Sequence, residues 1–161
     1  MLVWGKNDFG QLGVGSGIGI DLVESENIPK EVDLDTCLVD GDKADPVNVI
    51  NVSTGSRTMM AVDSNNRLFQ TGLKINWSPK HVQLNQERIE GKIEQLACGH
   101  NHYAFYDTGN NLHCFGTVVK QKAEEQYDGY GIFDGHEIFE GNTIVDLQMK
   151  YQTFGVLVQD K

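Results

Sequence analysis

Leu2-Val3-Trp4-Gly5 returns as Leu68-Phe69-Gln70-Thr71-Gly72 and again as Leu112-His113-Cys114-Phe115-Gly116. Each copy is followed downstream by a second shared block: Val49-x-x-Val52-x-x-Gly55-x-x-Thr58, Ile93-x-x-Leu96-x-x-Gly99-x-x-His102 and Ile144-x-x-Leu147-x-x-Lys150-x-x-Thr153. A period of about four dozen residues marks stacked supersecondary units rather than one irregular domain. The chain therefore reads as a single repeat domain, 1–161, with units near 1–66, 67–110 and 111–161.

The runs inside each unit are short and rich in β-branched and aromatic residues, as in Val47 to Val52, Thr58 to Val62, His102 to Tyr106 and Phe154 to Val158. Between them lie Asp63-Ser64-Asn65-Asn66 and Asp107-Thr108-Gly109-Asn110-Asn111. Such linkers suit tight hairpins, because Asn and Gly tolerate positive φ. No segment keeps an i, i+3, i+4 apolar spacing for three turns. The expected fold is all-β: a partial propeller of about three blades, each a small antiparallel sheet.

Composition bounds the partners. Thirteen Lys and Arg stand against 23 Asp and Glu, a formal charge of −10. Attraction to a phosphate backbone would oppose that mean field, so no nucleic-acid partner is expected. Nine of the acidic residues fall between Asp21 and Asp45 with only two lysines, which reads as a solvated acidic insertion at about 16–45. Three cysteines without a CxxC pair point to a reducing compartment, and no apolar run reaches membrane-spanning length. A cytoplasmic protein with no membrane insertion is expected.

Trp4-Gly5-Lys6-Asn7-Asp8-Phe9-Gly10-Gln11-Leu12-Gly13-Val14-Gly15 resembles the signature of the regulator of chromosome condensation repeat. Pro29-x-x-Val32-x-Leu34 and Pro79-x-x-Val82-x-Leu84 look like that family's proline stretch, and the blocks at Gly55 and Gly99 like its Gly-x-x-His/Thr turn. Similarity weakens along the chain: the second unit lacks the Gly-Gln-Leu-Gly loop, and the third has Lys150 where glycine is expected. The resemblance implies architectural roles for Trp4, Gly5, Asn7, Gly10, Gln11, Leu12, Gly13, Gly15, Gly55, Gly72, Gly99, His102 and Gly116. It also implies a ring of typically seven blades. Three units leave the strands at Leu2 to Gly5 and Gly155 to Val158 each without a hairpin partner. Completion by other protein chains is therefore expected, through a second copy joined head to tail or through a different subunit.

Several clusters invite chemistry. Gly13, Gly15, Gly17 and Gly19 alternate but lack phosphate-loop spacing. Cys98, His100 and His102 alternate along what reads as one strand, with His113 and Cys114 returning beside it. His102, however, occupies a structural position held by Thr58 and Thr153, so no metal is assigned. Asp128, Asp134 and Glu137 lie among Tyr130 and Ile132, which cannot ligate calcium, and nothing there pairs an acid with a base. No cofactor and no catalytic residue are expected. Trp4 reads as core packing, whereas Trp77, in a connecting segment, is a candidate contact residue. Tyr127, Tyr130 and Phe133, in what reads as an exposed loop, are further candidates, as are Asp33, Asp35, Asp40 and Asp42 for a basic partner surface. The function expected is a non-catalytic protein-interaction or scaffold module of a larger assembly. The alternative that the resemblance implies is nucleotide exchange on a Ran-type GTPase.

Overall fold

The computed structural model describes residues 1–14, 25–38, 45–72, 76–82, 89, 91–100, 102–116, 130–134, 139–151 and 153–160. Twelve strands are assigned among them: β1 Leu2–Lys6, β2 Ser25–Glu31, β3 Val49–Thr54, β4 Thr58–Asp63, β5 Leu68–Gly72, β6 Asn76–Val82, β7 Ile93–Cys98, β8 His102–Asp107, β9 Asn111–Gly116, β10 Tyr130–Asp134, β11 Thr143–Lys150 and β12 Thr153–Gln159. One short 3-10 turn covers Asp35–Cys37. They form two four-stranded sheets, β3-β4-β5-β6 and β7-β8-β9-β10, and two two-stranded sheets, β1-β2 and β11-β12.

The inner strands of the full sheets are buried on both faces. Every residue of β4 and β5 is buried, and β8 is buried at all positions but one. That explains the continuous apolar runs Thr58 to Val62 and His102 to Tyr106, where a sheet wet on one side would alternate. The connecting hairpins are built alike. Asn66 (φ 64°) and Asn110 (φ 67°) take the left-handed position, and their amides donate to the carbonyls of Asp63 and Asp107.

Asp63 and Asp107 themselves close these turns, a role that sequence reading did not assign. The carboxylate of Asp63 accepts the amides of Asn65 (3.0 Å) and Arg67 (2.8 Å) and pairs with the Arg67 guanidinium (2.6 Å). Asp107 accepts the amide of Asn111 (3.0 Å) and bonds His113 Nε2 (2.9 Å), with both side chains buried. Buried acids are tolerated only with such complete partnering.

By contact the chain divides into two compact units, 1–52 with 56–83, and 53–55 with 84–161. In the first, Val3, Leu12, Val32, Leu34 and Leu38 pack with Met59, Ala61 and Phe69. In the second, Ile144 and Leu147 pack with Ala97, Ala104, Leu112 and Cys114.

The sequence repeat begins at the third strand of a sheet. Several expectations need correction. The acidic segment is not wholly a solvated loop, because it supplies β2, and its Val32, Leu34 and Leu38 enter the core. Trp77 belongs to β6, and Tyr130 and Phe133 to β10, where Tyr130 pairs with Phe115 and Phe133 with Leu112. Trp4 is not core: it is 62% exposed.

Replacing Asp107 by alanine is expected to strip His113 and the Asn111 amide of their partner and to lower stability by about 3 kcal/mol. Urea unfolding followed by circular dichroism measures it. A midpoint unchanged from the parent would contradict the role assigned to this carboxylate.

Candidate functional site

The signature loop after β1 is tied together through its own side chains. Asn7 Oδ1 accepts the amide of Leu12 (2.9 Å), and Gln11 Oε1 accepts that of Phe9 (2.9 Å). Gly10 (φ 71°) and Gly13 (φ 66°) supply the positive φ that the turns require. Gln11 Nε2 then donates to the carbonyl of Ser56, and Thr71 Oγ1 to the carbonyl of Gln11 (2.6 Å). A Cβ on Gly72 would strike the Arg57 carbonyl. These residues are architectural, and the Arg57 guanidinium stacks over Phe9 at 4.3 Å. Gly15 lies outside the described residues.

Gly55 and Gly99 serve close approach. A side chain on Gly55 would meet the Gly99 carbonyl, and one on Gly99 would meet the His102 ring and the Tyr151 carbonyl. His102 is buried, and among the described residues neither ring nitrogen finds a partner; burial and then His100 hold its pKa below the ordinary 6.5. His113 is also lowered, burial outweighing the opposing influence of Asp107. Burial pushes the Cys114 thiol up to about 11, which leaves it an inert thiol.

The Cys98–His100–His102 alternation does not survive in three dimensions. Cys98 closes β7 and His102 opens β8, with a turn between them that the Gly99 amide seals to the His102 carbonyl (2.8 Å). Among the described residues no group of three or more His, Cys, Asp or Glu is placed to hold a metal ion. His100 instead stacks on Tyr151.

Of the candidate contact residues, Asp33 and Asp35 come together. They line an open cleft of about 440 Å³ with Glu31, over a floor that includes Leu34, Val47 and Val49. Asp33 Oδ1 accepts the Asp35 amide (2.9 Å), and Asp35 Oδ1 accepts the Val47 amide (2.7 Å). One oxygen of each carboxylate thus shapes the segment, and all three acids are exposed. Glu31 was missed in the sequence. Its place at the end of β2 is the signal that points to it, and the proline and charge of that strand hide it in the sequence. Asp40, Asp42 and Tyr127 lie outside the described residues. Trp77, Tyr130 and Phe133 are described only through their backbone. No helix among the described residues is long and apolar enough to cross a membrane.

Residues 1–62 match the regulator of chromosome condensation (RCC1) repeat. No curated protein matches the chain significantly. Among solved structures, Prp20p from Saccharomyces cerevisiae aligns with a TM-score of 0.69 at 15% identity, over 99% of this chain and 40% of that one. Human WBSCR16 aligns at 0.67 and 19% identity, over 98% and 39%. Yeast RCC1 (Prp20) in its complex with Kap60 aligns at 0.68 and 14%, over 99% and 38%. At these identities the likeness is one of fold. The repeat read from Trp4 to Gly15 and the partial propeller are thereby borne out, and the chain spans about two fifths of the length of the propellers it matches.

Because the folded-state pKa of His102 lies below its unfolded value, the unfolded chain takes up the proton first as pH falls. The stability present above about pH 6.5 is then lost toward the lower folded value. Thermal melts at about pH 7.5 and about pH 5.5 should show a lower midpoint in acid. His102→Thr, the residue of the other two units, should narrow the difference. Equal midpoints for the parent would contradict the burial of a neutral ring here.

Proposed function

We propose that the chain is a non-catalytic protein-binding module whose cleft at Glu31, Asp33 and Asp35 receives a basic segment of a partner protein. The observation that carries this reading is the pairing of chemistries in one depression: carboxylates at the rim and Leu34, Val47 and Val49 beneath. A lysine or arginine fits that combination, since its aliphatic stem can lie on the apolar floor while its charge meets the rim. A chain charge of −10 favours the encounter at a distance and makes it sensitive to salt. The reported binding of Prp20p to Gsp1p and histones supports a protein-binding use of this fold, and histones are basic. Three free thiols, two of them buried, suit a cytoplasmic setting.

Nucleotide exchange on a Ran-type GTPase is the second reading, suggested by the fold likeness to Prp20p. No described feature of this chain's own residues favours it over docking of a basic segment.

Glu31→Lys combined with Asp33→Asn keeps the acceptor for the Asp35 amide while reversing the rim charge. The variant should bind a lysine-rich peptide at least about tenfold more weakly than the parent at low salt, by fluorescence anisotropy. Unchanged affinity would contradict the proposed site. Accelerated release of labelled nucleotide from a Ran-type GTPase would replace this reading with the exchange one.

A further inference from the structure

Two arginines stand among the described residues, and they are used in opposite ways. Arg67 is spent on the fold: its guanidinium pairs with Asp63 (2.6 Å) and donates to the carbonyls of Asp45 (3.1 Å) and Pro46 (3.3 Å). Arg57 instead lies with its guanidinium carbon 4.3 Å from the centre of the Phe9 ring. Among the described residues its side chain makes no hydrogen bond and no ion pair, and none of its nitrogens is buried without a partner. The unbonded N–H edge therefore meets solvent.

The repeat does not ask for this arginine. Two residues after Gly55 the turn carries Arg57, whereas the same position after Gly99 and Lys150 carries Asn101 and Gln152. The Gly-Gln-Leu-Gly loop that follows Phe9 also occurs only once in the sequence. Within the first compact unit the stacked pair is held from both sides. Phe9 donates its amide to Gln11 Oε1 (2.9 Å), and Gln11 Nε2 donates to the carbonyl of Ser56, beside Arg57 (3.3 Å), which ties the loop to the turn. The Arg57 carbonyl packs on Gly72, where a Cβ could not fit.

We propose that Arg57 is a docking site for an exposed aspartate or glutamate of a partner protein, received by the edge of a guanidinium whose plane Phe9 holds. A guanidinium takes a planar carboxylate through two parallel N–H groups, and stacking on an aromatic ring fixes its plane while leaving that edge outward. Ordering a long side chain before the partner arrives removes part of the entropy that binding would otherwise cost. Phe9, 40% exposed, adds an apolar face beside the charge. A carboxylate suits the site better than a phosphate: one guanidinium matches one negative charge, and Lys6, the other cation at this loop, is already paired with Asp8 (2.6 Å). The chain's charge of −10 opposes an acidic partner at long range. Physiological salt screens that opposition over about 8 Å, so a pair made at contact survives it. The proposal goes beyond the docking of a basic segment and does not depend on it.

The test is an NMR titration of the full chain with the peptide acetyl-Gly-Ser-Glu-Ser-Gly-amide at about 0.15 M salt. A saturable shift of the Arg57 Nε–H resonance is expected, while that of Arg67 Nε–H, bonded to Asp63, stays in place. The same peptide with glutamine for glutamate should shift neither. Arg57→Lys, which keeps the charge and loses the fork, should weaken binding at least about fivefold, followed through the Phe9 amide. Phe9→Leu, which frees the plane, should weaken it about threefold with an unchanged circular dichroism spectrum. No saturable shift at Arg57, equal shifts at both arginines, or unchanged affinity in the Arg57→Lys variant would overturn the proposal. Tighter binding of the phosphoserine analogue of the peptide would overturn it as well, by assigning the site to phosphate.

Discussion

The hairpin joining the second and third strands of each full sheet is the constraint on which the rest depends. A strand buried on both faces must satisfy every backbone amide and carbonyl within the protein. β4 and β8 do so by pairing on both sides, and the turn that brings the third strand back is held by a buried carboxylate, Asp63 or Asp107. Once that turn is fixed, Met60, Ala61 and Phe69 in one sheet and Ala104, Phe105 and His113 in the other are placed in the interior. The glycine turns at Gly55 and Gly99 and the Gln11 contacts then arrange loops around a framework already set.

Equivalent side-chain positions differ in burial. Trp4 and Leu2 stand at the repeat positions of Thr71 and Phe69, yet they are exposed where Thr71 and Phe69 are buried, and among the described residues β1 pairs with β2 alone. The acidic segment is mixed in its own way. Its apolar residues Val32, Leu34 and Leu38 are covered, while Glu31, Asp33 and Asp35 remain at the rim of a cleft, partly engaged in shaping their own backbone.

The sequence made the inner strands and the hairpins legible, because Asn66 and Asn110 have few conformational alternatives and Thr58 to Val62 and His102 to Tyr106 are too apolar to lie in loops. The outer strands were hidden. Ser25–Glu31 and Asn76–Val82 each contain proline and charge, and β2 is exposed along nearly its whole length, so neither strand carries the apolar pattern that marks a buried one. Asp63 and Asp107 were read only as turn formers, since nothing in a single sequence says that a carboxylate will be buried and fully partnered. Of the candidate site, Asp33 and Asp35 follow from charge density; Glu31 and the apolar floor needed the fold, because Val49 opens β3 and Val47 lies just before it.

Amide hydrogen exchange resolved by residue tests the central claim most directly. The account predicts that the amides of β4, β5, β8 and β9, together with those of Arg67 and Asn111 at the aspartate turns, exchange last and as two cooperative groups. Exchange at those turn amides as fast as in an unfolded peptide, while the outer strands β2 and β6 stay protected, would contradict it.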